Sequence, residues 1–171
     1  MEDAVCEQDL LHNDYHCKEQ PGGCKSTEFV STLNDSGLMS ADSLSYAFDT
    51  DLQYDFRDIF LQSYTIGQEY IEYYYILGEM LTDSVSLGLM LQTARVLYEF
   101  KNCVLLLLDA NNHPNDILIS STLKGKILSL LSEYKSLMPN NYEYNVILDK
   151  IIADVNLYSE NTVSYVVSRL Q

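Results

Sequence analysis

The feature that most limits the fold of this chain is a repeat of apolar residues at spacings of three and four, from about Asp49 to Leu170. Such spacing places apolar side chains on one face of an α-helix, whereas a strand needs alternation, which does not persist anywhere in the sequence. The repeat falls into six segments, which begin near Asp49, after Gly67, at Val85, near Leu123, near Tyr142 and near Asn161. It predicts an all-α fold, a compact bundle of six or seven short helices.

The third segment, Val85 to about Asp109, contains the longest apolar run of the chain, Val104–Leu108. Thr82-Asp83-Ser84 supplies candidate capping residues, and the proline in Asn111-Asn112-His113-Pro114 disfavours helix in the residue before it. Because this segment is apolar on nearly every side, we expect other helices to surround it. Cys103, in the same segment, is expected to be a small core residue.

Charge is distributed unevenly along the chain. Residues 1–58 carry 13 acidic and three basic side chains, whereas residues 59–171 carry 12 and seven. The first 42 residues also contain the Pro21-Gly22-Gly23 break and almost no helical periodicity. A segment with low hydrophobicity and high net charge cannot offset the entropy that it would lose on ordering. We therefore predict a flexible acidic arm over residues 1–48 and the helical bundle over residues 49–171.

The overall charge and hydropathy exclude several classes of partner. A formal net charge of −15 argues against nucleic acid and anionic membrane surfaces, because both require a basic face. The apolar run Val104–Leu108 is far shorter than the roughly 18 residues of a membrane helix. The chain opens Met-Glu-Asp-Ala-Val, unlike the basic start of a secretory signal. We expect an intracellular protein that is not secreted, in the cytoplasm, with the nucleus as a second location.

Potential metal ligands concentrate near the N-terminus, at Cys6, His12, His16, Cys17 and Cys24. The His-x-x-x-His spacing occurs in zinc sites, and thiolates with imidazoles suit zinc. The cysteines, however, form no Cys-x-x-Cys pair. Zinc binding is therefore the lesser alternative to reduced thiols and solvated imidazoles, and no cofactor is expected.

No pattern in the sequence indicates catalysis. It contains neither of the common glycine-rich phosphate-binding motifs and no Gly-x-Ser-x-Gly nucleophile motif. His113 is interpreted as a loop residue. The tyrosines, 14 in number, are interpreted as residues at the edge of the core, with hydroxyls in water. We therefore predict that the protein is not an enzyme.

One motif in the acidic arm has a specific chemical interpretation. Asn34-Asp35-Ser36-Gly37-Leu38-Met39-Ser40 contains Asp-Ser-Gly-x-x-Ser, which matches the phosphodegron read by β-TrCP, a substrate-recognition subunit of an SCF ubiquitin ligase. The degradation motif of IκB, the inhibitor of NF-κB, has the same form. Phosphates on Ser36 and Ser40 would each add about −1.5 to −2 charge and three acceptor oxygens, which suit a cluster of Arg and Lys.

The other residues of the motif fit the same interpretation. Asp35 adds an anion, Gly37 permits a tight turn and close approach to a partner, and Leu38 can fill a shallow apolar site. The structural alternative is that Asp-Ser-Gly is a favoured turn in a polar linker.

An IκB-like motif ahead of a small all-α domain resembles a class of poxviral immunomodulators with a Bcl-2-like fold that mimic the IκB degron to engage β-TrCP. Three further stretches look similar to this class: 63–69, 135–141 and 147–155. The resemblance implies a Bcl-2-like bundle with Val96–Leu108 as its buried central helix. It also implies a partner-binding site at Asp35, Ser36, Gly37 and Ser40.

The chain departs from this class in two respects. The motif starts 34 residues into the chain and has the two-residue spacing of cellular degrons rather than the longer viral one. There is no Asn-Trp-Gly-Arg signature, since the chain has no tryptophan. A groove for pro-apoptotic helices is therefore not expected.

These observations leave three hypotheses open. In the first, the phosphorylated arm is a decoy that occupies β-TrCP, so that IκB persists and NF-κB signalling is blocked. The bundle then serves for stability, homodimerisation or binding of a second protein. In the second, the chain is itself a β-TrCP substrate, which Lys18 and Lys25 in the arm would favour. In the third, it is a helical adaptor that has no contact with the ligase.

Overall fold

The computed structural model describes residues 50–81 and 84–170, so the predicted arm, residues 1–48, lies outside the described residues. The described part contains six α-helices: α1 (Thr50–Asp55), α2 (Thr65–Leu81), α3 (Leu87–Leu108), α4 (Ser121–Leu137), α5 (Tyr142–Tyr158) and α6 (Val163–Leu170). Within these residues, β-type pairing is limited to an isolated bridge between Ile117 and Thr162. The predicted all-α bundle is confirmed.

The connection from α1 to α2 is helical but irregular. A π-helical turn, Phe56–Phe60, and a 3-10 turn, Leu61–Ser63, follow α1 directly. The sequence pattern places Ile59 and Phe60 on one core face, but Ile59 is 63% exposed whereas Phe60 is buried. A π turn holds more residues than an α turn, so it shifts the phase of the following side chains. The prediction for Ile59 is therefore wrong.

Helix α2 begins at Thr65, and Gly67 lies within its first turn rather than ahead of it. Gly67 is buried, and a Cβ atom placed on it would lie 2.1 Å from the carbonyl oxygen of Leu61. The missing side chain therefore allows α2 to start directly against the 3-10 turn.

Helix α3 is capped by Ser86, whose hydroxyl oxygen accepts a hydrogen bond from the backbone N–H of Leu89 at 3.3 Å. The cap therefore lies beyond the predicted Thr82-Asp83-Ser84. Leu89, Cys103 and Leu107 lie on one side of α3 and are buried, and Ala94, about 140° around the helix from Leu89, is buried as well. On the other side, Leu105 is 43% exposed. The prediction that other helices surround α3 on every side is wrong, although Cys103 is in the core as predicted.

The remaining helices start where polar caps precede them. At the start of α4, the Ser120 hydroxyl oxygen accepts a hydrogen bond from the backbone N–H of Leu123 at 3.2 Å. At the start of α5, the Asn141 amide oxygen accepts one from the backbone N–H of Tyr144 at 3.1 Å. The start of α5 at Tyr142 agrees with the predicted one, whereas α6 begins two residues after Asn161.

Packing places the main core at one end of the bundle. Helix α3 packs on α4 and α6, α4 packs on α5, and α2 packs on α5 and α6. The core combines the π-helical turn, the end of α3, the segment before α4, the first turn of α4, and α6. Its buried residues are Phe60, Cys103, Leu107, Leu118, Ile119, Leu123, Val163, Val166 and Leu170.

Candidate functional site

The partner-binding residues predicted from sequence all lie outside the described residues. These are Asp35, Ser36, Gly37, Leu38 and Ser40. The alternative zinc ligands Cys6, His12, His16, Cys17 and Cys24 lie outside them as well. The structure therefore describes the helical bundle that follows the motif, including the polar groups inside that bundle.

The most buried charge among the described residues is Asp154 on α5, with its side chain 9% exposed. One of its oxygens accepts two hydrogen bonds, from the Tyr70 hydroxyl on α2 at 2.8 Å and from the Lys150 ammonium at 2.5 Å. Burial and the hydrogen bond to Asp154 raise the pKa of Tyr70, and the hydrogen bond to Asp154 raises the pKa of Lys150. The cluster joins α2 to α5, and the Lys150 ammonium compensates the negative charge of Asp154.

A second polar junction joins α3, α4 and α5. Thr93 on α3 donates its only hydroxyl hydrogen to the Leu89 carbonyl at 2.8 Å. The Tyr134 hydroxyl, 2.8 Å from Thr93 Oγ1, must therefore be the donor between these two groups. Tyr144, which is fully buried, donates to the Tyr134 carbonyl at 2.7 Å. Burial raises the pKa of Tyr134 and raises that of Tyr144 to about 12.

The sequence analysis did not predict these two junctions. Tyr70, Tyr134 and Tyr144 bond to other helices, so for these three the interpretation of hydroxyls in water is wrong. A signal was present at Asp154, which continues the buried positions of α5, Tyr144, Ile147 and Leu148, at helical spacing. A carboxylate at a core-facing position requires a buried partner.

Two side chains with intrinsic reactivity, Cys103 and His113, lie in the described part of the chain. Cys103 donates from Sγ to the Leu118 carbonyl at 2.9 Å, and burial raises the pKa of its thiol to about 11. His113 lies in the loop after α3, as predicted, with Nδ1 2.9 Å from Asp116 and Nε2 3.6 Å from Asp109. Within residues 50–81 and 84–170, no group of three or more His, Cys, Asp or Glu side chains is placed to hold a metal ion.

A surface groove of about 290 Å³ runs between α3 and α4. Arg95 and Glu99 line it from α3, and Lys126 and Glu133 line it from α4. Lys126 donates to Glu99 across the groove at 2.5 Å. The positive and negative side chains balance, so the groove lacks the excess positive charge that a phosphate or an acidic peptide requires.

Comparison with known proteins finds no matching family model, no matching curated protein and no matching solved structure. Among the described helices, none combines the length and apolar character needed to cross a bilayer.

Proposed function

We propose that this chain is a non-enzymatic decoy for β-TrCP. In this mechanism, the segment 35–40, phosphorylated on Ser36 and Ser40, occupies the site that recognises phosphorylated IκB. IκB then escapes ubiquitination, and NF-κB stays in the cytoplasm. The observation that carries the proposal is the sequence Asp35-Ser36-Gly37-Leu38-Met39-Ser40 itself, whose two phosphates suit capture by a cluster of arginines. A Bcl-2-like arrangement of the helices stays a prediction from the resemblance.

The motif lies close to the bundle along the chain. Nine residues separate Ser40 from Thr50, the first residue of α1. Even when fully extended, this connection spans at most roughly 35 Å. A ligase subunit bound at the motif is therefore held beside the bundle, which can obstruct the approach of a further substrate or add a second contact.

The direct test is binding of synthetic peptides that span residues 33–44 to the purified β-TrCP propeller domain. We expect tight binding of the doubly phosphorylated peptide and its loss in the unphosphorylated form and in Ser36→Ala. A doubly phosphorylated Gly37→Val peptide is the matched control, because it keeps the charge but hinders the tight turn. No binding in any form, or equal binding with and without phosphate, would refute recognition as a degron.

The second candidate function is that of a β-TrCP substrate. The positions and the exposure of several lysines favour it. Lys18 and Lys25 lie 18 and 11 residues before Ser36. Three lysines of the bundle, Lys126, Lys135 and Lys150, form ion pairs but keep at least 38% of their side chains exposed. The pairs of Lys126 and Lys135 are exposed on both sides and contribute only about 0–1 kcal/mol each, so pairing would not protect these two lysines from ubiquitin transfer.

Protein turnover in cells distinguishes the two functions. For a decoy, proteasome inhibition should leave the level of the chain unchanged while IκB persists after stimulation. For a substrate, the level should rise, and Lys18→Arg with Lys25→Arg should prolong the half-life. Ser36→Ala with Ser40→Ala is the control that abolishes either effect. A helical adaptor would show no ligase binding in the peptide experiment.

A further inference from the structure

One face of α5 carries exposed apolar side chains near both of its ends, on either side of Asp149 and Lys150. Tyr142 is 84% exposed, Val146 and Leu157 are each 49% exposed, and Ala153 is also exposed. At 100° per residue these four side chains fall within an arc of about 60°, and they span about 22 Å along the helix axis. The opposite face holds the buried Tyr144, Ile147 and Leu148. We call the exposed set the α5 stripe.

The arrangement of the α5 stripe is symmetric about its own midpoint. Tyr142 and Leu157 lie equally far from the point between Asp149 and Lys150, and so do Val146 and Ala153. Positions arranged in this way can pair across a two-fold axis between identical chains, where each contact is made twice with the roles exchanged. The large side chains lie at the two ends of the set, and the smaller Val146 and Ala153 lie on either side of Asp149 and Lys150.

Asp149 and Lys150, the charged residues at the middle of the α5 stripe, each have an ion-pair partner in the same chain. Asp149 forms an ion pair with Lys135 of α4, and Lys150 forms one with Asp154. This matters because the chain carries a net charge of −15, which disfavours contact between two copies in general. In a two-fold pair, the Asp149 carboxylates of the two copies lie on the same edge of the interface. Each is neutralised by Lys135 of its own chain.

We propose that the α5 stripe is the interface of a homodimer, in which α5 packs antiparallel on α5 of a second copy. The two-fold axis passes between Asp149 and Lys150. Tyr142 then lies against Leu157 of the partner subunit, and Val146 lies against Ala153 of the partner subunit. One helix of this length gives an interface toward the small end of the range for specific complexes, so the dimer is expected to dissociate on dilution.

Disulfide cross-linking tests this register directly. Val146→Cys and Ala153→Cys are prepared separately, with different tags, in the full chain carrying Cys6→Ser, Cys17→Ser and Cys24→Ser. Under mild oxidation, the mixture of the two variants should yield the mixed disulfide. Each variant alone should give at least roughly tenfold less, because like positions lie about 10 Å apart along the helix pair. Circular dichroism establishes that each variant is folded.

Three other results would overturn the proposal. Strong cross-linking of Val146→Cys with itself would indicate a different register or a parallel pair, and no cross-link in any mixture would indicate no such contact. In a chain that keeps its arm cysteines, an intrachain disulfide to Val146→Cys would assign the stripe to the N-terminal segment instead.

Sedimentation provides an independent test with matched substitutions. Leu157→Glu should make the chain monomeric at concentrations where the wild type forms dimers. Leu105→Glu, which places the same change on an exposed position of α3, should leave dimer formation unchanged. A wild type that is monomeric at every concentration, or a dimer lost only in Leu105→Glu, would contradict the α5 interface.

Discussion

Gly67 and Gly125 both lie inside helices, but the space around them differs. A Cβ atom on Gly67 would lie 2.1 Å from the Leu61 carbonyl oxygen, whereas one on Gly125 would meet no atom within 4 Å. We therefore expect Gly67→Ala to lower the free energy of unfolding by about 1–3 kcal/mol, because the backbone must shift. Gly125→Ala should raise it by about 0.5–1 kcal/mol through helix propensity. Urea unfolding measures both, and equal effects would contradict the close approach at Gly67.

The tyrosine that bonds to Asp154 predicts how stability depends on pH. The pKa of Tyr70 is raised in the folded chain by burial and by its bond to Asp154. The unfolded chain ionises tyrosine near pH 10. The stabilisation from a neutral Tyr70 is therefore complete below about pH 10 and is lost as the pH rises above it, by about 1.4 kcal/mol per pH unit.

Tyr70→Phe removes this ionisation. At neutral pH it should cost about 1 kcal/mol for the lost hydrogen bond. Above pH 10 its stability should fall less steeply than that of the wild type, so the difference between the two proteins shrinks. Urea unfolding between pH 8 and pH 11.5 gives both curves. If they stay parallel across this range, the folded chain does not hold the Tyr70 hydroxyl neutral.

At the scale of the element, the start of α3 is set by one hydroxyl group. Ser86 Oγ accepts from Leu89 N–H, whereas Ser84 is exposed and lies two residues earlier. Ser86→Ala should cost about 1 kcal/mol, because it leaves a helix N–H without its cap. Ser84→Ala, the matched control, should change stability by less than about 0.5 kcal/mol. Thermal unfolding compares them, and a larger loss in Ser84→Ala would restore the cap position that the sequence suggests.

The helices differ in how well the sequence predicts them, and the reasons are local. The start of α5 could be predicted because Pro139 disfavours helix just before it and the Asn141 side chain caps it. The face of Ile59 could not, since a π turn breaks the 3.6-residue period without any marker in the sequence. The start of α2 was misplaced because Gly67, which usually indicates a break, here permits a close approach.

The two candidate sites also differ in how far the sequence predicts them. The 35–40 motif is identified from sequence alone because short recognition motifs depend on residue type and spacing. The α5 stripe required the structure. Val146 and Ile147 are neighbours of similar hydrophobicity, yet Val146 is 49% exposed and Ile147 is buried. Only the packing of α5 on α4 and α2 decides which apolar positions stay outside.

At the scale of the whole molecule, the two proposals together predict bivalent binding. A dimer joined through α5 carries two copies of the motif at residues 35–40. On a surface dense in β-TrCP propeller, the second motif binds at a high effective concentration, which should slow dissociation at least roughly tenfold. Phosphorylated Leu157→Glu should lose this slow dissociation, whereas phosphorylated Leu105→Glu should keep it.

Surface density separates the two proposals in this experiment. On a sparse surface only one motif can bind, so the wild type and both variants should dissociate at the rate of the phosphorylated 33–44 peptide. The wild type is injected at a concentration where sedimentation finds dimers. If it still dissociates at that rate on the dense surface, the dimer is refuted while ligase recognition stands. If the peptide and all three proteins fail to bind, ligase recognition is refuted, and the α5 interface is then decided by sedimentation and cross-linking alone.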